Sequence, residues 1–425
     1  MKLTRRVRLF FVLFLAAINV SGQNRADVDA VAGTFQTYYN SEQWDSIFNM
    51  LSDRSKVFMS REKTTETFAK LHNQLGELVS YTYKKEEQNH SFYKSVFNNG
   101  TLMLAISVNK DNKLESFRFI TYKEDTIPMA KEQSNIILKT TTGNIYGSLT
   151  MPDEKKKVPV VLIIAGSGPT DRNGNSDQGV LKANEYKMLA DSLKLAGIAC
   201  VRYDKRGIGE STEAMKSEDS IRFEDGIKDA EGFIKMLKAD VRFSKVIVLG
   251  HSEGSLIGMI AARREKAAAF ISVAGIAQKA DKIMEQQIRA QSGELAAQAT
   301  IILDSLDKGF TVKDIDSPLY SLFRPSIQPY MISWLKYEPR QEIKKLTIPV
   351  LIVQGTTDIQ VNAEEAESLK KACPKAALKL ITGMNHVLKQ ATEFYAENVA
   401  TYSKPELPLS PGLMPAIDKF ITALK

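Results

Sequence analysis

Val246-Ile247-Val248-Leu249-Gly250-His251-Ser252-Glu253-Gly254 is the stretch on which the reading of this chain turns. Its apolar run predicts a strand over Lys245 to Leu249, covered on both faces. From Ser252 to about Arg264 the pattern is helical. A turn this sharp from strand to helix needs glycine on both sides of the serine, so that the two backbones can pass closely. The serine is then held exposed at the positive end of a helix dipole. The pentapeptide Gly250 to Gly254 matches G-x-S-x-G, and the strand before it and helix after it give the match its weight.

Outward from this turn, strand and helix alternate. Ile136 to Lys139 and Ile145 to Thr150 predict a hairpin around Thr142-Gly143-Asn144, and Val158 to Ile164 a strand buried on both faces. A helix is expected at Lys182 to Leu195, a strand at Ala199 to Tyr203, a helix at Phe223 to Lys238 and a strand at Ala269 to Val273. The sheet resumes at Pro349 to Val353 and Leu378 to Ile381. Such alternation implies a mostly parallel sheet with helices on both faces. Between about residues 278 and 345 the rhythm breaks into helical patterns with Phe323, Tyr330, Trp334 and Tyr337, an insertion where a lid would sit. Asp304, Asp307, Asp314 and Asp316 within it read as solvated.

Residues 23 to 128 form a separate small α+β unit. Val28, Val31, Phe35, Tyr38 and Tyr39 share one helical face, Trp44, Ile47, Phe48 and Leu51 a second, and Thr67 to Leu78 reads as a third helix. Alternating runs at Tyr81 to Tyr83, Ser91 to Val96, Leu102 to Val108 and Phe117 to Thr121 then predict an antiparallel sheet, with a hairpin at Asn98-Asn99-Gly100. The catalytic unit is expected over 129 to 425.

Before both units, Lys2, Arg5, Arg6 and Arg8 precede the apolar run Leu9 to Val20, and Val20-Ser21-Gly22 offers small residues at a cut before Gln23. That is the three-part pattern of a signal peptide, and the run is short for a membrane span. The protein is therefore expected to be exported, to the periplasm or the medium, with no membrane span after cleavage. The whole chain carries +7; loss of those four cations leaves 53 basic against 50 acidic residues, or +3. No basic stripe with interleaved aromatics remains to suggest a nucleic-acid partner, and Lys155-Lys156-Lys157 reads as a solvated turn. Cys200 and Cys373 are the only cysteines and are expected as free thiols.

A serine hydroxyl is a poor nucleophile without a base. Of the four histidines, His72 and His90 lie in the first unit, and His251 sits in the turn beside the serine with its side chain expected to point elsewhere. His386, in Thr382-Gly383-Met384-Asn385-His386 after the last strand, is the candidate base. Asp358, at the end of Gln354-Gly355-Thr356-Thr357-Asp358 after a strand, is the candidate acid that orients it. Two amides are needed for the oxyanion. Glu253 should supply one; the other should come from Ala165-Gly166-Ser167-Gly168-Pro169, from Ser167 with Gly168 as second choice.

These segments together resemble the α/β-hydrolase superfamily across residues 133 to 425, in the chain order serine, aspartate, histidine. Gly166-Ser167-Gly168-Pro169-Thr170-Asp171-Arg172-Asn173-Gly174 and Arg202-Tyr203-Asp204-Lys205-Arg206-Gly207-Ile208-Gly209-Glu210-Ser211 are similar to bacterial exported esterases with an extra N-terminal domain of cystatin-like or cone-shaped type. Ala165 departs from relatives that carry histidine before the oxyanion glycine. Asp171 and Arg172 are expected to brace the loop, by pairing locally or with Arg202 or Asp204. The resemblance implies a serine carboxylesterase with the catalytic triad Ser252, Asp358 and His386, acting on small short-chain acyl esters without metal or organic cofactor. Two rivals stay open: a serine peptidase or aminopeptidase of the same fold, and a secreted binding protein that kept the fold.

Overall fold

The computed structural model describes residues 25–87, 90–121, 135–152, 156–176, 181–289, 292–315 and 317–424. The expected signal peptide, Lys155 and Asp316 lie outside them. Two compact units result: one comprises the chain up to Lys131 together with Asp314–Phe323, the other Glu132–Lys313 with Arg324–Lys425.

In the first unit the helices Arg25–Asn40, Trp44–Met50, Asp53–Phe58 and Arg61–Leu75 precede a meander of β1 (Leu78–Glu87), β2 (His90–Phe97), β3 (Gly100–Val108) and β4 (Leu114–Thr121). All three pairings are antiparallel, and Asn98 and Asn99 make the expected hairpin turn between β2 and β3. Phe35, Phe68, Tyr93 and Leu104 are buried in the common core. The third expected helix is corrected by the structure. It begins at Arg61, where the Ser60 hydroxyl accepts from the Lys63 amide, and Gly76 ends it at φ 74°. The cap outweighs the weak apolar periodicity of its first turns. An additional short helix, Asp53–Phe58, is capped in the same way by Ser52.

The second unit is built on eight strands: β5 (Ile136–Lys139), β6 (Asn144–Thr150), β7 (Val158–Ile164), β8 (Ala199–Tyr203), β9 (Phe243–His251), β10 (Ala269–Val273), β11 (Val350–Gly355) and β12 (Ala377–Ile381). Their spatial order is β12-β11-β10-β9-β7-β8-β6-β5. The two strands at the β5 edge are antiparallel additions, and the six from β8 to β12 are parallel.

Period-two alternation sends the apolar residues to both faces. Val160, Leu162, Ile164, Val246, Val248 and Ile352 meet the helices Phe223–Ala239, Glu253–Arg264 and Ala363–Ala372. Val161, Ile163, Ile247, Leu249, Ile271 and Val353 meet Glu185–Leu195 and Leu413–Thr422 on the other. This double burial is why the strands read as unbroken apolar runs. Both Cys200 and Cys373 are buried and free.

The chain between β10 and β11 is helical, with Ala280–Arg289, Gly293–Asp307, Ser317–Phe323, Gln328–Trp334 and Pro339–Lys344. Asp304 and Asp314 are exposed, and Asp307 meets Lys279 at 2.6 Å. No described helix is long and apolar enough to cross a membrane.

Candidate active site

Strand order reverses at the centre of the second unit: β7 lies between β8 and β9, so the connections leaving these strands diverge to opposite sides. A crevice at the carboxyl ends of such strands is where ligands bind in open α/β sheets. Ser252 stands there, between β9 and the helix Glu253–Arg264, at φ 53° and ψ −122°. An L-residue takes positive φ only where its surroundings enforce it. Here the enforcement is close backbone passage. A Cβ on Gly250 would lie 2.2 Å from the Gly254 carbonyl oxygen, and one on Gly254 would lie 2.3 Å from that of Ile164. The Ser252 amide donates to Val273 O at 2.9 Å, which fastens the turn to β10.

Asp358 and His386 come from the ends of neighbouring parallel strands, β11 and β12, in the loops that follow each. His386 Nδ1 donates to Asp358 Oδ2 at 2.8 Å, with the Asp358 side chain fully buried and that of His386 8% exposed. The other carboxylate oxygen accepts the amides of Gln360 and Val361 at 2.8 and 2.9 Å. Burial alone would push the Asp358 carboxyl up; the facing His386 and these two amides outweigh it and hold it below its ordinary value. The His386 loop is pinned by Asn385, whose side-chain amide donates to Asn398 at 3.1 Å and to Thr401 at 2.7 Å.

Glu253 opens its helix, and its carboxyl is buried. Tyr330, from the insertion, donates its hydroxyl to Glu253 Oε1. Burial raises the Glu253 carboxyl and lowers the Lys205 ammonium, and each charge opposes the other's shift. Lys205 Nζ in turn donates to the carbonyls of Gly166 and Gly168, at 2.7 Å for Gly168. Ser167 lies exposed between them, and its amide makes no hydrogen bond to any described residue. The Gly166 amide is already committed to the Tyr186 hydroxyl at 3.1 Å. Gly168, the second candidate donor, adopts φ 82°.

Below this loop, the Arg172 guanidinium reaches Asp204 Oδ2 from Nε at 3.1 Å and from Nη2 at 2.7 Å, while the Arg172 amide donates to Asp204 Oδ1 at 2.7 Å. Asp171 instead accepts the amides of Asn173 and Asn175, both at 2.8 Å. Arg172 pairs with Asp204, one of the pairings expected for this segment, and Arg202 reaches Asn173.

The residues that sequence reasoning passed over are Lys205, Tyr330 and Tyr186. Lys205 was in view as part of Asp204-Lys205-Arg206-Gly207, but its partners lie more than thirty residues away and no local pattern names them. Tyr186 reads as one apolar position of an amphipathic helix. His72 and His90 belong to the first unit: His90 Nε2 pairs there with Ser116 Oγ at 2.7 Å, and His72 Nδ1 lies 3.8 Å from Glu42.

Residues 180–313 match the family described as serine aminopeptidase, S33, and residues 32–117 match a family of proteins of unknown function, DUF3887. Esterase EstD of Thermotoga maritima is 28% identical over 397 residues, covering 90% of this chain and 92% of its own. Est1E of Butyrivibrio proteoclasticus, solved with ferulic acid bound, is similar at 18% identity and a TM-score of 0.46, over 68% of this chain and 99% of its own. The esterase domain of a Rhodothermus marinus protein is similar at 13% identity and a TM-score of 0.39, over 63% of this chain and 93% of its own. The family match spans the strained serine turn and the strand after it, at the centre of a mostly parallel sheet with helices on both faces, which is the α/β-hydrolase fold.

Proposed function

We propose that this α/β-hydrolase is an exported serine carboxylesterase that cleaves small short-chain acyl esters through an acyl-enzyme. The reading is supported by a strained, partly exposed serine after β9 and a buried histidine–carboxylate pair in the loops after β11 and β12, at the carboxyl ends of one parallel sheet. The likeness to an esterase over nine-tenths of the chain supports the choice of esters.

Asp358 fixes the tautomer of His386 by accepting from Nδ1, which leaves Nε2 free to take a proton. Ser252 Oγ attacks the acyl carbonyl carbon as His386 takes its proton, and the carbonyl electron pair moves onto oxygen. The amides of Glu253 and Ser167 receive that oxyanion, and the dipole of the Glu253–Arg264 helix adds to the field there. Collapse breaks the bond to the alcohol, which leaves with the proton from His386. Water then repeats the sequence against the acyl-enzyme and releases the acid.

Lys205 draws the carbonyls of Gly166 and Gly168 to itself and so fixes the orientation of the peptide that presents the Ser167 amide. The helical insertion acts as a lid, with Tyr330 as its contact to the nucleophile turn. The small first unit has a role in positioning or in substrate access, and residues 1–22 direct export.

Initial rates on p-nitrophenyl esters from acetate to decanoate, for wild type and Ser252→Ala, test the reading. Activity greatest on the short chains and absent in the variant is expected. The family description favours a second reading, a peptidase for short peptides. Aminoacyl p-nitroanilides assayed beside the esters distinguish the two: turnover of the anilides alone would replace the ester reading.

A further inference from the structure

We infer that His251 and Tyr186 are positioning residues that tie the backbone of the base His386 to the nucleophile turn and to the oxyanion loop. The inference rests on the proposed roles of Ser252, Asp358 and His386.

Three hydrogen bonds form one chain through the centre of the second unit. The Gly166 amide bonds Tyr186 Oη at 3.1 Å, Tyr186 Oη bonds His251 Nδ1 at 2.8 Å, and His251 Nε2 bonds the His386 carbonyl oxygen at 2.9 Å. Tyr186 and His251 are 2% and 3% exposed, and neither takes part in the steps of ester hydrolysis.

The direction of every bond is forced. A backbone carbonyl only accepts, so His251 Nε2 carries the proton. Burial pushes His251 down to about 3, and the ring stays neutral, so Nδ1 is a lone-pair acceptor. The Tyr186 O–H therefore donates to Nδ1, and its oxygen accepts from the Gly166 N–H. No other assignment satisfies all four groups, and each of the four is satisfied.

The chain joins three segments distant in sequence. Gly166 precedes the candidate donor Ser167, His251 precedes the nucleophile, and His386 is the base. Its charge state is as important as its geometry. The His251 and His386 rings lie 4.8 Å apart, centroid to centroid. When His386 becomes an imidazolium during acyl transfer, a neutral His251 adds no opposing charge, whereas a protonated one would repel it.

Substitutions at His251 separate the two halves of the chain. Asparagine places an acceptor near the Nδ1 position and loses the bond to His386; glutamine places an amide donor near Nε2 and keeps it. Wild type, Tyr186→Phe, His251→Asn and His251→Gln are compared for kcat and KM on p-nitrophenyl acetate and for the rate of Ser252 labelling by a fluorophosphonate. Each kcat is normalised to serines titrated as active. His251→Asn should lose on the order of 100-fold in kcat, the scale of an ångström-level misplacement of catalytic groups. Tyr186→Phe should lose about tenfold, the scale of one hydrogen bond. KM should change little, labelling should slow in parallel with kcat, and His251→Gln should recover most of the loss.

A merely structural role would lower the melting temperature and the titrated fraction but leave kcat per active serine unchanged; that outcome overturns the inference while the esterase reading stands. A wild type that neither turns over nor labels would sink the serine reading and this inference with it. Nitrogen-15 spectra of histidine-labelled wild type give an arm independent of turnover. His251 should carry its proton on Nε2 at neutral pH, and a proton on Nδ1, or on both nitrogens, refutes the network.

Discussion

In the proposed mechanism Ser252 is reactive only through its neighbours. Ser252→Ala should lower kcat on p-nitrophenyl acetate by at least roughly 10⁴-fold while leaving the melting temperature close to wild type, since a partly exposed hydroxyl is removed. Asp358 makes a different prediction, because its folded value is held below the unfolded one. Such a carboxylate contributes stability that is complete above about pH 4 and is lost as the pH falls through the depressed folded value. Asp358→Asn should therefore unfold at lower urea than wild type at neutral pH, and the gap should narrow below about pH 4. A gap that stays constant down to the acid transition would mean that the carboxylate's partners do not hold it as described. Activity of the same variant at neutral pH should fall by roughly 10⁴-fold, because the amide no longer selects the working tautomer of His386.

At the scale of elements, the turn at Ser252 is a strained point of the fold. The helix Glu253–Arg264 crosses β7 and β9 so closely that no side chain fits at Gly250 or Gly254. Gly254→Ala would force its Cβ against the Ile164 carbonyl oxygen at 2.3 Å, so helix and strand must separate. A loss of about 3 kcal/mol or more in urea unfolding is expected, with activity lost beside it. An alanine variant of wild-type stability and full activity would show that the turn is looser than its geometry implies. The loop after β7 is held by a different means. Arg172 and Asp204 form a buried ion pair in which two guanidinium nitrogens share one carboxylate oxygen, and Lys205 takes two loop carbonyls, so the peptide that presents Ser167 is braced from two sides. Glycines allow this loop its shape, and buried charges determine which shape it keeps.

At the scale of the whole molecule, the proposed export signal gives the most direct test. Cleavage after Gly22 predicts a mature N-terminus at Gln23, read by intact mass of protein recovered from the periplasm or medium of an expressing bacterium. Retention of Met1 in the membrane fraction would instead make the segment an anchor. The two units present themselves differently to the chemistry. The first has its own aromatic core around Phe35 and Phe68 and matches a family of unknown function, and none of the residues proposed for ester hydrolysis belongs to it. The second holds Ser252, His386 and Asp358, the proposed nucleophile, base and acid, at the carboxyl edge of one sheet.

What the sequence determined by itself is what short-range pattern encodes. Unbroken apolar runs such as Val158 to Ile164 are strands buried on both faces, and their alternation with amphipathic helices gave the parallel sheet. The glycines about Ser252 are a local steric requirement, so the turn was legible as well. The pairing of Asp358 with His386 was legible through order, each following a strand of the same sheet. The start of the helix Arg61–Leu75 was not, because a serine cap acting over three residues overrode a weak period. Packing in three dimensions was needed to show that Arg172 takes Asp204, that Lys205 reaches back to the carbonyls of Gly166 and Gly168, and that Tyr186 and His251 are linked to His386. Those partners lie tens to more than a hundred residues apart, and a buried polar group accepts whichever partner the packed sheet delivers to it. Periodicity records which face a residue turns inward; which distant group it meets there is decided by the order in which the strands assemble.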